Sequence, residues 1–247
     1  MAHDISQHFS QQALALTRIV GEKRLYFLCK RCMDIVLSVL FLTITLPLLL
    51  LIAVLIKVDS PGPVLFNQER VRLRKRSIGG EQRWEPSTFI MHKFRTMYHN
   101  SNPTIHQQFT KALIRNDEDE VVRLRNNGDS VNKLTDDPRI TRLGKVLRRT
   151  SLDELPQLWN VLKGEMSLVG PRPPLAYEVA EYKPRHWRRL GTTPGCVALW
   201  HVSGWCTVSF EEMVELDVWY IEHQSLWLDV KILLKTVPAV LSGKGGG

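Results

Sequence analysis

The 247-residue chain has only four cysteines, too few to staple a protein of this size. Cys29 and Cys32 form a lone C-x-x-C, and Cys196 and Cys206 are too widely spaced to complete a zinc site with it. Neither a Walker A loop nor a D-x-D-x-T nucleophile motif is present, which sets aside the P-loop enzymes and the common aspartyl-phosphate transferases. No internal repeat is found. Charge is missing from one long stretch, since the 22 residues from Ile35 to Ile56 carry none. This stretch begins far from Met1 and has no small-residue cleavage pattern after it, so it does not read as a cleaved signal.

As a helix those residues extend ~33 Å, enough to cross the core of a bilayer. Lys23, Arg24, Lys30 and Arg31 precede the run, and Lys57, Arg70, Arg72, Arg74, Lys75 and Arg76 follow it, so both ends read as cytoplasmic by the positive-inside rule. Pro47 removes a backbone hydrogen bond near its middle. A re-entrant hairpin over residues 31–58, entering and leaving by one face, satisfies both observations. The alternative is one crossing with a tolerated proline.

The net charge of +8 suits nucleic acid, an anionic membrane or phosphorylated substrates alike. Residues 1–30 turn from polar to amphipathic, as in a helix lying on a membrane surface. After a turn at Asp59-Ser60-Pro61-Gly62-Pro63, the spacing predicts short strands at 64–66 and 89–91, joined by a polar loop. Residues 104–127 read as a solvated helix and 139–149 as a helix with Arg142, Lys145, Arg148 and Arg149 beside an apolar face. Helices are expected at about 175–190, 210–223 and 226–241, and residues 243–247 as a disordered tail. The fold class is therefore a predominantly α-helical α+β chain: the re-entrant membrane helix, a small β-hairpin and a cytoplasmic helical catalytic domain over 59–242.

Ser151-Leu152-Asp153-Glu154-Leu155-Pro156-Gln157-Leu158 sets two adjacent carboxylates behind the arginines of the 139–149 segment. Pro156 fits as the first helical residue, with Leu158, Trp159 and Leu162 on the apolar face that follows. Ser151 and Glu154 also have the spacing of a capping box, so these residues alone leave helix capping and phosphate chemistry both open.

The segments DSPGPVLFNQERV (59–71), HKFRTM (92–97), DDPRITRLGKVLRRTSLDELPQLWNVLKGEMSLVGPRP (136–173), TPG (193–195) and ELDVWYIEHQSLWLDVKILLKT (215–236) resemble, in order, those of the bacterial sugar transferases, the monotopic phosphoglycosyl transferases. The resemblance implies transfer of a sugar phosphate from a UDP-sugar, a hexose such as glucose or galactose, to undecaprenyl phosphate, with release of UMP. That reaction starts an exopolysaccharide, capsule or O-antigen repeat at the bacterial cytoplasmic membrane. It implies Asp153 as the nucleophile that forms an aspartyl-phosphosugar, Glu154 as its polar partner, and Mg²⁺ as cofactor with Asp153 as a ligand. Arg148 and Arg172 match family arginines near the phosphates, with Lys93, Arg95 and Gln157 as further substrate-binding candidates. The partners implied are the UDP-sugar, the polyprenol phosphate and membrane lipid. No nucleic acid is expected, and a homodimer is left open. The lack of a large N-terminal extension suggests a minimal form.

The chain departs from the family where PGITGLWQVSGR is frequent. Ala198, His201 and Trp205 replace glycine, glutamine and arginine, and Arg72 stands where a glycine is common. Loop packing is the expected role of His201 and Trp205, and none of the tryptophans is assigned chemistry. The rival reading is a catalytically degenerate, basic membrane-surface binding protein, which has no use for an Asp-Glu pair beside an arginine helix.

Overall fold

The computed structural model describes residues 23–78, 81–101, 104–124, 137–203 and 208–241. Helix α1, Arg24–Asp59, runs unbroken through Pro47 for 36 residues, or ~54 Å. Residues 31–58 thus lie within one helix that begins at Arg24. Threonine hydroxyls on the turns before the proline donate to backbone carbonyls, Thr43 Oγ1 to Val39 O at 2.8 Å and Thr45 Oγ1 to Phe41 O at 2.6 Å. Residues 1–22 of the expected surface helix and the 243–247 tail lie outside the described residues.

Both flanks of α1 rest on the rest of the protein. Lys30, Asp34 and Ser38 are buried near its start, Ile52 and Ile56 near its end, and Val39, Leu40, Phe41, Ile44, Leu46, Leu48, Leu50 and Leu51 between them are at least partly bare to the surroundings. At the first flank Lys30 Nζ donates to Asp229 at 2.8 Å, and Tyr26 and Tyr220 hydroxyls donate to the same carboxylate. Asp34 accepts from Leu168 N at 3.0 Å. Arg31 donates to the carbonyls of Val161 and Leu162. At the second flank Ile52 and Ile56 pack with Phe94 and Leu147.

Strands β1 (Leu65–Ile78) and β2 (Glu81–Phe94) form one long antiparallel hairpin. The expected strands at 64–66 and 89–91 cover only part of it, and residues 67–78 and 81–88, expected as a loop, continue the ladder. Alternation explains this: Val71 and Leu73 are buried on one face, Phe89 and Met91 on the other. Lys93 follows Phe89 and Met91 at a period of two, so the residues that anchor β2 in the core aim Lys93 the same way.

Helices α2 (Thr104–Arg115) and α3 (Glu118–Leu124) replace the single helix expected at 104–127, broken where Asn116 takes φ 59°. Next come α4 (Arg142–Arg149), a 3₁₀ turn (Leu152–Glu154) and α5 (Gln157–Leu162). The helix expected at 175–190 is also divided, into α6 (Ala176–Val179) and a 3₁₀ segment Pro184–Leu190, since Pro184 cannot continue a helical ladder. Two short strands absent from the sequence reading, β3 (Ser167–Val169) and β4 (Gly195–Val197), pair in parallel. The touch between them is so close that a Cβ on Gly195 would fall 2.1 Å from Gly170 N. Helices α7 (Leu199–Ser203), α8 (Phe210–His223) and α9 (Leu226–Leu241) complete the described chain, the last two with the bounds expected. The main core joins Phe89 and Met91 of β2 to Leu158 and Val161 of α5, Met166 to Val169, Tyr220 and Ile232.

Substituting Lys30 by Met leaves the fully buried Asp229 without its cation, and an expected loss of about 3–5 kcal/mol follows from stranding a buried charge. Thermal unfolding of the detergent-solubilised protein measures it. An unchanged midpoint would mean that the pair does not hold α1 in place.

A carboxylate pair ringed by cations

Helix α4 is capped by Thr141, whose Oγ1 accepts from Gly144 N at 2.9 Å, and Gly144 lets it press against the end of β2. A Cβ on Gly144 would lie 2.1 Å from Thr96 O. That approach brings Arg148 to Thr96, where its Nε donates to the hydroxyl at 2.9 Å. After α4 the chain reverses through Ser151 in the left-handed region, φ 55°, and enters the 3₁₀ turn that carries both acids. Ser151 makes no side-chain cap bond, so the capping-box alternative does not hold. Pro156 sits at the N-cap of α5, one residue earlier than expected. Leu152 packs with one apolar cluster and Leu155 with another, fixing the turn between them. Of the apolar face expected on α5, Leu158 is buried but Trp159 is 55% exposed.

The two carboxylates point into different environments. Glu154 Oε1 accepts from Lys93 Nζ at 2.5 Å and from Arg172 at 3.4 Å. Burial opposes its ionisation, but Lys93 and Arg172 together outweigh it and hold the Glu154 carboxyl far below the usual range. Asp153 is 8% exposed, and the ion pairs of the couple among the described residues are both made by Glu154. Burial pushes the Asp153 carboxyl up to about 6, with Glu154 adding to it and Lys93, Arg148 and Arg172 opposing. The pair is thus split into one permanently ionised, neutralised acid and one desolvated acid that titrates near neutrality.

Arg172 is held by the Gly170–Pro174 segment, which is strapped on three sides: Arg70 donates to Pro173 O at 2.8 Å, Val71 N to Pro174 O at 2.9 Å and Gly195 N to Pro171 O at 2.9 Å. Asp153, Glu154, Lys93, Arg148 and Arg172 therefore lie together. Arg95 does not join them. It is buried against the end of α1 and donates to the carbonyls of Pro61, Ser60 and Ile56. Gln157 is buried one helical turn after Asp153, and its Nε2 has no hydrogen-bond partner among the described residues.

Sequence reasoning passed over Arg70 and Thr96, which position Arg172 and Arg148; neither carries a local signal. His201 is buried near Glu154, and its Nδ1 accepts from Ala198 N at 2.9 Å within its own segment. Cys196 also lies close enough for Glu154 to raise its thiol, behind the larger effect of burial. Trp205 and Cys206 lie outside the described residues.

Among the described residues no cluster of three or more His, Cys, Asp or Glu side chains forms a self-sufficient metal site. With Glu154 taken by Lys93, Asp153 is the carboxylate of the pair that would be left to hold a Mg²⁺ that keeps most of its waters.

Comparison with known proteins bears on this geometry. The family model described as bacterial sugar transferase matches residues 25–243. The chain is 39% identical over 217 residues to a UDP-galactose-lipid carrier transferase of Erwinia amylovora, an alignment covering 87% of the chain and 41% of that protein. It is 38% identical to an undecaprenyl-phosphate galactose phosphotransferase of Salmonella typhimurium, covering 98% of the chain and 47% of the relative. An exopolysaccharide production protein ExoY of Sinorhizobium fredii is 36% identical over 87% of both. The chain thus spans less than half of the first two relatives and most of the third.

Because the Asp153 carboxyl binds its proton more tightly folded (about 6) than unfolded (3.8), it supports the fold fully below the unfolded value. This support is lost as pH rises through about 6. The thermal midpoint of the ligand-free protein is expected to carry a decline across that window which Asp153→Asn removes. An identical pH slope in the variant would show that Asp153 titrates at its ordinary value.

Proposed function

The chain belongs to the bacterial sugar transferase family, and from that premise we propose that it transfers a sugar 1-phosphate from a UDP-hexose to undecaprenyl phosphate, with Asp153 as nucleophile. The observation that carries this reading is the asymmetry of the acidic couple: Glu154 is neutralised by Lys93 and Arg172, whereas Asp153 is buried and titrates near neutral pH. A desolvated carboxylate with a raised pKa is the more nucleophilic of two neighbours. In the first displacement an Asp153 oxygen bonds to the β-phosphorus while the bond from that phosphorus to the bridging oxygen breaks, its electron pair leaving on UMP. In the second an oxygen of undecaprenyl phosphate bonds to the same phosphorus and Asp153 leaves as a free carboxylate. The product is the lipid diphosphosugar, which begins the assembly of a surface polysaccharide.

Arg148 and Arg172 neutralise the phosphates that must approach a carboxylate, and their planar forks bind oxygens in pairs. Lys93 keeps Glu154 from repelling the same phosphates. Mg²⁺ held by Asp153 and the diphosphate would supply further charge neutralisation. The hexose follows from the galactose in the names of the Erwinia and Salmonella relatives, with glucose as the near alternative.

The membrane reading rests on contacts. Helix α1 is the one described helix long and apolar enough to cross a bilayer. Both its flanks rest on the same body of protein, at Lys30 and Asp34 and again at Ile52 and Ile56, which supports entry and exit through one face, with the site on the cytoplasmic side. Trp159 on α5 and Phe66, paired across the hairpin with Lys93, are exposed near the site, as suits a bilayer surface where an acceptor phosphate arrives.

Detergent-solubilised protein with Mg²⁺, undecaprenyl phosphate and a panel of UDP-sugars is expected to release UMP from UDP-galactose or UDP-glucose. Asp153→Asn should cut release on the order of a thousandfold or more, and Arg172→Lys about tenfold. Release surviving in Asp153→Asn would remove that residue as nucleophile. Single cysteines at the exposed positions Leu25 and Val58, in a background free of native cysteine, are expected to react with an impermeant maleimide from the same side of sealed vesicles. Labelling from opposite sides would establish a single crossing.

A further inference from the structure

From Leu152 to Leu162 the backbone follows a right-handed helical path: the 3₁₀ turn, Leu155 at φ −53° and ψ −37°, Pro156 at φ −61° and ψ −18°, then α5. Residues four and seven apart on such a path share a face, and here that face is a polar stripe of Asp153, Gln157 and Asn160. All three are buried, while Trp159 on the opposite side is exposed. Asn160 is fully engaged, its Nδ2 donating to Ile90 O at 2.6 Å and Glu165 at 2.7 Å and its Oδ1 accepting from His92 N at 3.0 Å. Gln157 lies between this structural amide and Asp153, 2% exposed, with an amide nitrogen that meets no acceptor among the described residues. The orphaned nitrogens of Arg70, Arg72 and Arg95 differ, because other nitrogens of the same guanidinium are bonded; Gln224 is held through its amide oxygen, and Trp200 Nε1 is a second unmatched donor among the described residues. A buried donor without an acceptor is costly to the resting protein. One kept a single turn from a carboxylate nucleophile is matched when an oxygen arrives with the substrate.

We propose that Gln157 is a catalytic residue: its amide N–H donates to a non-bridging oxygen of the phosphorus as that phosphorus bonds to Asp153. The inference rests on the reaction assigned above. As the Asp153–phosphorus bond forms and the bond to the UMP oxygen breaks, the equatorial oxygens are drawn toward the stripe, and the preformed donor meets one of them. The amide is neutral, so it adds little to the binding of the ground-state diphosphate, which the arginines already attract. Its contribution falls on the transition state and the aspartyl-phosphosugar.

The test is Gln157→Met, which keeps the length of the side chain and its fit to a helix but removes the amide. In the UMP-release assay kcat is expected to fall on the order of a hundredfold, with KM changed by less than about threefold. The thermal midpoint should equal or exceed that of wild type, because a buried orphan donor has been removed. Gln157→Glu, similar in shape but able to bring a negative charge to the phosphate, should lose more. Wild-type kcat in Gln157→Met would overturn the role, and so would a fall in its midpoint, which would mean that the amide holds the fold. Wild type and Asp153→Asn run beside these variants. Release by the first and not the second upholds the reaction, so that a failure at Gln157 is its own, whereas a wild type that releases UMP from no donor overturns reaction and role together.

Discussion

The ion pair between Lys93 and Glu154 joins the two halves of the site. Lys93 ends a strand whose preceding inward residues, Phe89 and Met91, are fixed in the core. Glu154 belongs to a 3₁₀ turn whose backbone links run from Glu154 N to Ser151 O and from Leu155 N to Leu152 O. Without the ammonium at 2.5 Å, two adjacent carboxylates would face each other across a poorly hydrated turn, and both would resist ionisation. With it, one acid is neutralised as a salt and the other remains to react. Such chemistry comes from neighbours, since Asp and Glu differ little as isolated side chains.

Much of this was legible in the chain. The eight residues from Ser151 to Leu158 identify the acidic couple, and the segment rich in arginine just before it accounts for Arg148. Proline on both sides of Arg172 announces a rigid loop, and the ends of α8 and α9 follow from their apolar periodicity and flanking residues. Other features depend on partners distant in sequence. Arg95 reads as a phosphate ligand beside Lys93, yet it lies just past the end of β2 at Phe94, and its side chain goes to the carbonyls that end α1. The hairpin was expected to be short because a polar loop separates its two apolar segments, and cross-strand pairing continues the ladder beyond the buried Val71 and Leu73. Nothing local marks three-residue strands such as β3 and β4, whose pairing depends on the close contact at Gly170 and Gly195.

The exposed and buried parts of α1 are governed by different surroundings. Its middle is apolar and bare, whereas its flanks carry Lys30, Asp34 and Ser38 into the protein at one end and aliphatic side chains at the other. A lysine, an aspartate and two tyrosines gathered in one buried cluster make a joint that tolerates little displacement, because each group there is costly to leave without its partner.

Lys93 and Arg95 are two residues apart, a separation of ~7 Å along an extended chain. One touches Glu154 and the other grips the carbonyls where α1 ends, so a single short segment sets the height of the acidic pair above the apolar helix. On the reaction proposed above, the chain thus carries a depth gauge: the level at which an acceptor headgroup would meet Asp153 is determined by backbone geometry instead of by the lipid.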